Sequence, residues 1–575
     1  MQCELSEYSA KWAFRIYFSC IAVWLVASLF WVNIDFVDAY GAIANAQYLV
    51  GASSDYFWQR GPGMAVLLVP AEWVAENLRL HPLDVRPHHA TMVLLHLSFL
   101  WLTWRELKLI FGARVASLVA FIAAVPNFVF FSYAPFISHD LFPGLIALAM
   151  IRIVLDYIRH ASLRSLLGLV LLGVLAACVK QTFILFWPVV LVSVWIATRE
   201  RGKSLYSQWR SFSTLIIGAI ISGALCWIAY SLVLESSFPG VSFWLRPWAQ
   251  AVATANFVTN SGSARESFDQ LLYFRNLSAY GILAMALVVP GLVLSLRHRD
   301  PMVKAVAVSW ILFFALMQLI QFKEVRYLAI LAPLTAVVVV PAIDALVKIR
   351  ASYIAVLAFI WLFDLRAIVV EATRLHDPFY SSLITGFMRS LPTEPVELRA
   401  PVLISSPLSF VSPEPYAFRR DRYHRVTSLI ADQIRILYHY PKNMVQGLES
   451  QTSLNAPYIA SGTILIIAND MATRLPPFRA DNLPWQRDGY SQLLAVAEVV
   501  HLDLTDSGYR LRELDQRPVM LFPIAGVAAQ PLTSADYFEE GSIKNLRNLN
   551  STPPELEILG FRIREYCDQT GCRSL

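Results

Sequence analysis

The chain has 575 residues, of which 56% are hydrophobic and 15% charged, and its mean hydropathy is +0.51. These values exclude an ordinary soluble enzyme and describe a polytopic α-helical membrane protein. A formal net charge of +5 is small at this length and no Arg/Lys-rich tract accompanies it, so nucleic acid is excluded as a partner.

A bilayer core asks for about 20 mostly apolar residues per spanning helix. Taken in chain order, segments of that kind lie at 14–34, 88–110, 115–133, 141–158, 163–177, 182–197, 212–234, 272–296, 305–320, 327–347 and 353–370. They predict about 11 transmembrane helices, the two that flank Lys180 being short for the task. The first is read as an uncleaved helix, because its apolar stretch exceeds a signal-peptide h-region and no small-residue cleavage site follows. The stretch 64–80 is apolar but carries Pro70, Glu72, Glu76 and Arg79, and reads as an amphipathic helix on the membrane surface.

Basic residues recur in alternate loops, at Arg105, Lys108 and Arg114, at Arg152, Arg159 and Arg164, at Arg199, Arg201, Lys203 and Arg210, and at Arg297, Arg299 and Lys304. The positive-inside rule then places the N-terminus in the cytoplasm and, with an odd number of spans, the C-terminal region on the far side. After residue 371 the texture changes to proline, charge and turn residues. Strand-length apolar runs appear at 401–406, 463–468 and 499–504, with a helical face over 425–439. This predicts a C-terminal extracytoplasmic α/β domain over 371–575, behind a membrane domain over 1–370. Of the six cysteines, Cys3, Cys20, Cys178 and Cys226 read as small core residues. Cys567 and Cys572 read as a local disulfide if the tail is outside the cytoplasm.

The polar residues left over gather on one side. Asp35 and Asp38 follow the first span, and Arg60 lies further along the same external loop. Ser138, His139 and Asp140 occupy the next external turn, Lys180 and Gln181 the third, and Lys323, Glu324, Arg326 and Tyr327 the fifth. Each group has a structural alternative. Asp35, Asp38, His139 and Asp140 could cap helices. Lys180 could snorkel to the interface, Arg60 could meet lipid headgroups, and the 323–326 cluster could be an ordinary interfacial ion network. These alternatives do not account for carboxylates and cations collecting on a single face. The set suits sugar transfer from a lipid-linked phosphosugar, in which a carboxylate takes the acceptor proton and cations receive the leaving phosphate. The fourth external loop, 235–271, is aromatic and partly basic. Trp244, Arg246 and Trp248 there read either as a loop over the site or as an interfacial aromatic belt.

The sequence resembles the GT-C glycosyltransferases of the bacterial aminoarabinose transferase and protein O-mannosyltransferase (PMT-2 type) group. The resemblance rests on Asp35 and Asp38 before Tyr40, on Arg60-Gly61-Pro62, on His139-Asp140, on Lys180-Gln181-Thr182, and on Lys323-Glu324-Val325-Arg326-Tyr327-Leu328 leading to Pro333. It covers roughly residues 14–347. It implies that the catalytic base falls on Asp35 or Asp38, with Asp35 preferred because it directly follows the first span. His139 and Asp140 would position the acceptor or a metal, and Arg60, Lys180, Lys323, Arg326 and Tyr327 would hold the donor phosphate. Family members differ in metal use, so no cofactor is firm and a divalent cation is left open. The implied partners are a polyprenyl-phosphate sugar donor, membrane lipid and an envelope acceptor. The implied setting is the bacterial inner (cytoplasmic) membrane with a periplasmic site. A transporter or flippase, with ionisable residues in broken helices at mid-membrane, and a noncatalytic scaffold are the competing classes.

Overall fold

The computed structural model describes residues 2–31, 37–53, 56–58, 60–80, 84–127, 130–131, 136–140, 142–199, 205–260, 272–275, 281–319, 325–350 and 353–375, together with short strands from 402 to 574. The protein is mostly helical. The helices that matter here are α1 Gln2–Trp31, α2 Val37–Leu49, α3 Pro62–Asn77, α4 Arg86–Phe111, α5 Val115–Ala124, α6 Phe142–His160 and α7 Leu163–Val179. They continue with α8 Phe186–Thr198, α9 Leu205–Val233, α10 Arg246–Asn260, α11 Ile282–Leu296, α12 Pro301–Leu319, α13 Ala332–Ile349 and α14 Tyr353–Leu375. Among the described residues four stretches, Glu7–Phe30, Ser211–Val233, Pro301–Leu319 and Tyr327–Ile349, are long and apolar enough to cross a membrane.

The core is centred on α13, whose residues Ala332 to Val340 are all buried. It packs against α5, α11 and α12. Interhelical polar contacts join the apolar packing. Trp310 Nε1 donates to Thr335 Oγ1 at 2.8 Å, Ser222 Oγ to the Val170 carbonyl at 2.8 Å, and Ser295 Oγ to the Val338 carbonyl at 3.2 Å. Asp364 of α14 accepts the backbone N–H groups of Ile282 and Leu283, both at 2.9 Å, and so caps α11 from another helix. The cap requires Gly281 (φ +93°), where a Cβ would lie 2.7 Å from the Asp364 carboxylate; only glycine takes that conformation without cost.

Three expected elements change form. The segment 115–133 is not one helix. α5 ends at Ala124, and beyond Pro126 the Asn127 carbonyl and side chain accept the N–H groups of Phe131 and Phe130, at 3.0 and 3.1 Å, as an N-cap does. Proline disfavours helix in the residue before it, and asparagine restarts one. The segments 182–197 and 327–347 each open as a 3-10 turn, Gln181–Leu185 and Val325–Leu331. Pro188 and Pro333 stand just beyond these turns, and a proline ring clashes with the carbonyl four residues back, which disfavours the α form there. The stretch 64–80 is helical as α3, with Met64, Ala65, Leu68 and Ala71 buried and Val66, Trp73, Val74 and Leu78 exposed. Its Glu72 is not at a free surface but pairs with His88 of α4 at 2.8 Å. Cys178 and Cys226 are buried as expected, whereas Cys20 is exposed beside the outward residues Ile16 and Val23 of α1.

In the C-terminal region a five-stranded sheet has the order Val445–Gly447, Val402–Ser405, Thr463–Ala468, Arg517–Ile524, Arg512–Leu514. The first three strands are parallel and the last two pairings antiparallel. Two of the expected strands are therefore present, whereas 499–504 and the expected helix 425–439 lie outside the described residues. Cys567 and Cys572 stand directly opposite one another in an antiparallel pair.

Gly144, in the first turn of α6, lies so close to the chain around Pro333 that a Cβ would fall on the Ile330 carbonyl oxygen and the Pro333 ring. Overpacking of this kind costs about 1–3 kcal/mol. Gly144→Ala is expected to lower the unfolding temperature of the purified protein, while an alanine at Gly168, where a Cβ meets nothing within 4 Å, leaves it unchanged.

Candidate functional site

Four chain segments converge on one cleft. Its lining is Ala42 of α2, Arg60 and Gly61, Met64 of α3, Ile137, Ser138 and His139, and Val179 at the end of α7. Proline starts the helix after each polar turn: Pro62 begins α3, Pro143 is second in α6, Pro188 is third in α8 and Pro333 second in α13. A proline inside the first turn leaves the preceding residues outside the helix. Arg60, Asp140, Lys180 and the 327 region are accordingly carried on turns at helix entrances.

Glycine sets how closely these turns approach. A Cβ on Gly61 would fall on the Cys178 carbonyl oxygen and the Tyr230 hydroxyl, and one on Gly63 would lie 2.7 Å from the Val179 nitrogen. The start of α3 is thereby pressed against the end of α7, one residue before Lys180. Gly61 and Met64, at the start of α3, line the cleft and the Gly61 N-cap makes no side-chain cap hydrogen bond; the positive end of a helix dipole favours an anion.

Next to the lining residues Ser138 and His139 lies Asp140, 4% exposed. Its Oδ1 is 3.4 Å from Lys180 Nζ and 3.4 Å from His139 Nε2, and its Oδ2 accepts from Ser138 Oγ at 3.3 Å. Ser138 Oγ in turn accepts the Asp140 N–H at 3.2 Å, closing a small turn around the carboxylate. Lys180 sits in extended backbone between α7 and the 3-10 turn, with its ammonium 3.9 Å from the centre of the Tyr327 ring. A cation over an aromatic face gains roughly 0.5–2 kcal/mol, more as water is excluded. Tyr327 thus holds the lysine that compensates Asp140.

The loop bearing Arg60 is fixed by backbone contacts. Asn45 of α2 accepts the Phe57 N–H at 2.5 Å and donates to the Phe57 carbonyl at 3.1 Å. The Tyr56 hydroxyl donates to the Arg60 carbonyl at 2.9 Å; burial pushes its pKa above the usual phenol range, so it remains a neutral donor.

The expected site residues divide cleanly. Arg60, His139, Asp140, Lys180 and Tyr327 come together. Asp38 falls in the first turn of α2 and Arg326 in the 3-10 turn Val325–Leu331, and their side chains lie outside the described part. Asp35, Lys323 and Glu324 lie outside the described residues altogether. Arg246 donates to the Ser231 carbonyl at 3.0 Å and the Val241 carbonyl at 3.3 Å, and pairs with Glu235 at 3.4 Å, which locks the loop to the end of α9. Trp244 and Trp248 point outward, each 63% exposed. The loop does reach the cleft wall through Gln250, which sequence reasoning missed. Gln181 Nε2 donates to Gln250 Oε1 at 2.5 Å, and Gln250 Nε2 donates to the Trp58 carbonyl. The missed signal is Pro247, Gln250 and Thr254 at helical spacing on the face opposite the tryptophans.

Among the described residues no group of three or more His, Cys, Asp and Glu side chains gathers as a metal site. Asp140 and His139 would supply two ligands, and Lys180 already neutralises that carboxylate.

No protein-family model matches the chain, and no curated protein matches its sequence. Solved structures are similar in fold. One is ArnT from Cupriavidus metallidurans bound to undecaprenyl phosphate, with a TM-score of 0.49 and 14% identity over 82% of this chain and 97% of that one. Another is the Archaeoglobus fulgidus oligosaccharyltransferase in complex with Zn and sulfate, at 0.48 and 12% over 79% and 68%. A third is AglB from the same archaeon with an inhibitory peptide and a dolichol-phosphate, at 0.47 and 12% over 86% and 73%.

Removing Lys180 leaves Asp140 buried without its cation, a change that costs roughly 3–5 kcal/mol for a buried pair. Lys180→Ala is expected to lower thermal stability strongly, and Asp140→Asn in the same chain to restore much of it. A double-mutant cycle by thermal unfolding, with coupling above about 1 kcal/mol, checks the pair.

Proposed function

We propose that the protein is a membrane glycosyltransferase that moves a sugar from a polyprenyl-phosphate-linked donor to an acceptor hydroxyl, with inversion at the anomeric carbon. The observation that carries this reading is that Arg60 and Gly61 share one cleft with Ser138 and His139, which adjoin the buried Asp140–Lys180 pair. A cationic wall and a wall backed by that ion pair adjoin one space, and the surrounding helices are apolar. A lipid-linked phosphosugar needs all three.

In this reading the acceptor oxygen attacks the anomeric carbon as a carboxylate of the first loop, Asp35 or Asp38, takes its proton. The bond from that carbon to the phosphate oxygen breaks, and the phosphate leaves with both electrons, still attached to its lipid. Arg60 binds the departing phosphate through its planar fork and Lys180 as a point charge, and Arg326 and Lys323 follow Lys180 in that role. Asp140, held by Ser138 and Lys180, orients the acceptor. A single displacement inverts the centre. The eleven apolar segments cross the bacterial inner membrane with the N-terminus in the cytoplasm. The cleft and the C-terminal α/β domain then lie on the periplasmic side, where the acceptor is a glycolipid, polysaccharide or protein of the envelope.

Purified protein in proteoliposomes, given a polyprenyl-phosphate sugar, tests the assignment. Asp35→Asn or Asp38→Asn, whichever removes the base, is expected to cut transfer by at least about 100-fold, and full transfer in both variants would falsify it. Arg60→Ala is expected to cost about 100-fold or more, with partial recovery in Arg60→Lys, which keeps the charge but not the fork. Mass spectrometry of envelope glycans and glycolipids with and without the gene identifies the acceptor.

A further inference from the structure

Helix α10 is built inside out for a helix on a water-soluble surface. Its inward stripe is Pro247, Gln250 and Thr254, of which Gln250 is 2% exposed. Its outward stripe, begun by the preceding 3-10 turn, is Trp244, Leu245, Trp248, Ala251 and Val252, all exposed and all apolar. In water the apolar stripe would turn inward. The patch also continues a lipid-length surface. α9 contains one of the stretches suited to crossing a membrane, it exposes Ile216, Ile217, Ile220 and Leu225 along its length, and Trp227 near its end donates from Nε1 to the Trp244 carbonyl at 3.0 Å. Tryptophan gathers where hydrocarbon meets headgroups, and an amphipathic helix at that depth lies in the plane of the interface.

The other face of the same segment grips the cleft. Gln250 ties Gln181, next to Lys180, to the Trp58 carbonyl, two residues before Arg60. Ser236 and Ser237, at the start of the loop, bond the backbone N–H and carbonyl of Tyr56. We infer that Trp244, Leu245 and Trp248 seat this segment in the headgroup boundary of the bilayer, and that Gln250 carries that seating to Trp58 and Gln181, which stand close in the chain to the cleft-lining residues Arg60 and Val179. The bilayer is then a structural partner of the site. This surface stands on its own geometry and does not depend on the transfer chemistry.

Two measurements on the full chain test it. A photoactivatable Trp248→p-benzoylphenylalanine variant in phospholipid vesicles is expected to form phospholipid adducts, seen by mass spectrometry. Adducts to protein alone would make the patch a protein-docking face and overturn the inference, as would no adduct while the same probe at Val23 of α1 reacts with lipid. In nanodiscs, Trp244→Ser/Trp248→Ser and, separately, Gln250→Ala are expected to speed amide exchange over residues 56–61 by roughly two- to tenfold, the loss of about one hydrogen bond. Unchanged exchange in the tryptophan variant, with Gln250→Ala showing the increase, would overturn the coupling.

Discussion

A carboxylate that is 4% exposed among apolar helices is costly to keep ionised without a compensating cation, and the compensation here comes from a different helix. Asp140 stands before α6 and Lys180 after α7, 3.4 Å apart. Neither can move without stranding the other, so the ends of the two helices are bound together. Tyr327 extends the constraint to a third segment, because its ring lies under the lysine ammonium. Ser138 occupies the remaining side of the carboxylate. The cleft is the space these obligations leave open, with Arg60 on the wall that the ion pair does not use.

Close approach makes the arrangement reachable. Gly61 and Gly63 press α3 onto the end of α7, and Gly144 presses α6 onto the turn before Pro333. Side chains at those positions would hold the segments apart by more than a 3.4 Å ion pair tolerates. Proline does the complementary task. By starting helices at 62, 143, 188 and 333 it leaves the polar residues just before them in turns. Side chains on turns can point along the helix axes into a common space, which side chains inside a helix cannot.

Much of this was legible in the chain because charge is conspicuous in apolar sequence. Arg60, His139, Asp140, Lys180 and Tyr327 all stood out as polar or amphipathic residues at the edges of hydrophobic runs, and the alternation of basic loops put them on one side. The mostly helical, apolar character of the chain was legible for the same reason, although Pro126 with Asn127 ends α5 early. Gln250 was not legible. A single amide among Ala, Trp and Val carries no charge signal, and its importance comes from meeting Gln181 and Trp58, which are far from it in sequence. Arg246 misled for the opposite reason. Its charge drew attention to the loop, and in the structure the carbonyls at Ser231 and Val241 engage it.

The sequence by itself determined a chain of apolar helices with ionisable residues confined to their ends, because hydropathy, proline and charge are properties of local composition. Only the tertiary structure decided which of those ends meet. Pairing Asp140 with Lys180, placing Tyr327 behind the lysine, and turning the tryptophans of α10 outward while Gln250 turns inward all depend on contacts between segments separated by 40 to nearly 200 residues. Such contacts are set by packing and by the cost of an uncompensated buried charge, and no local pattern encodes them.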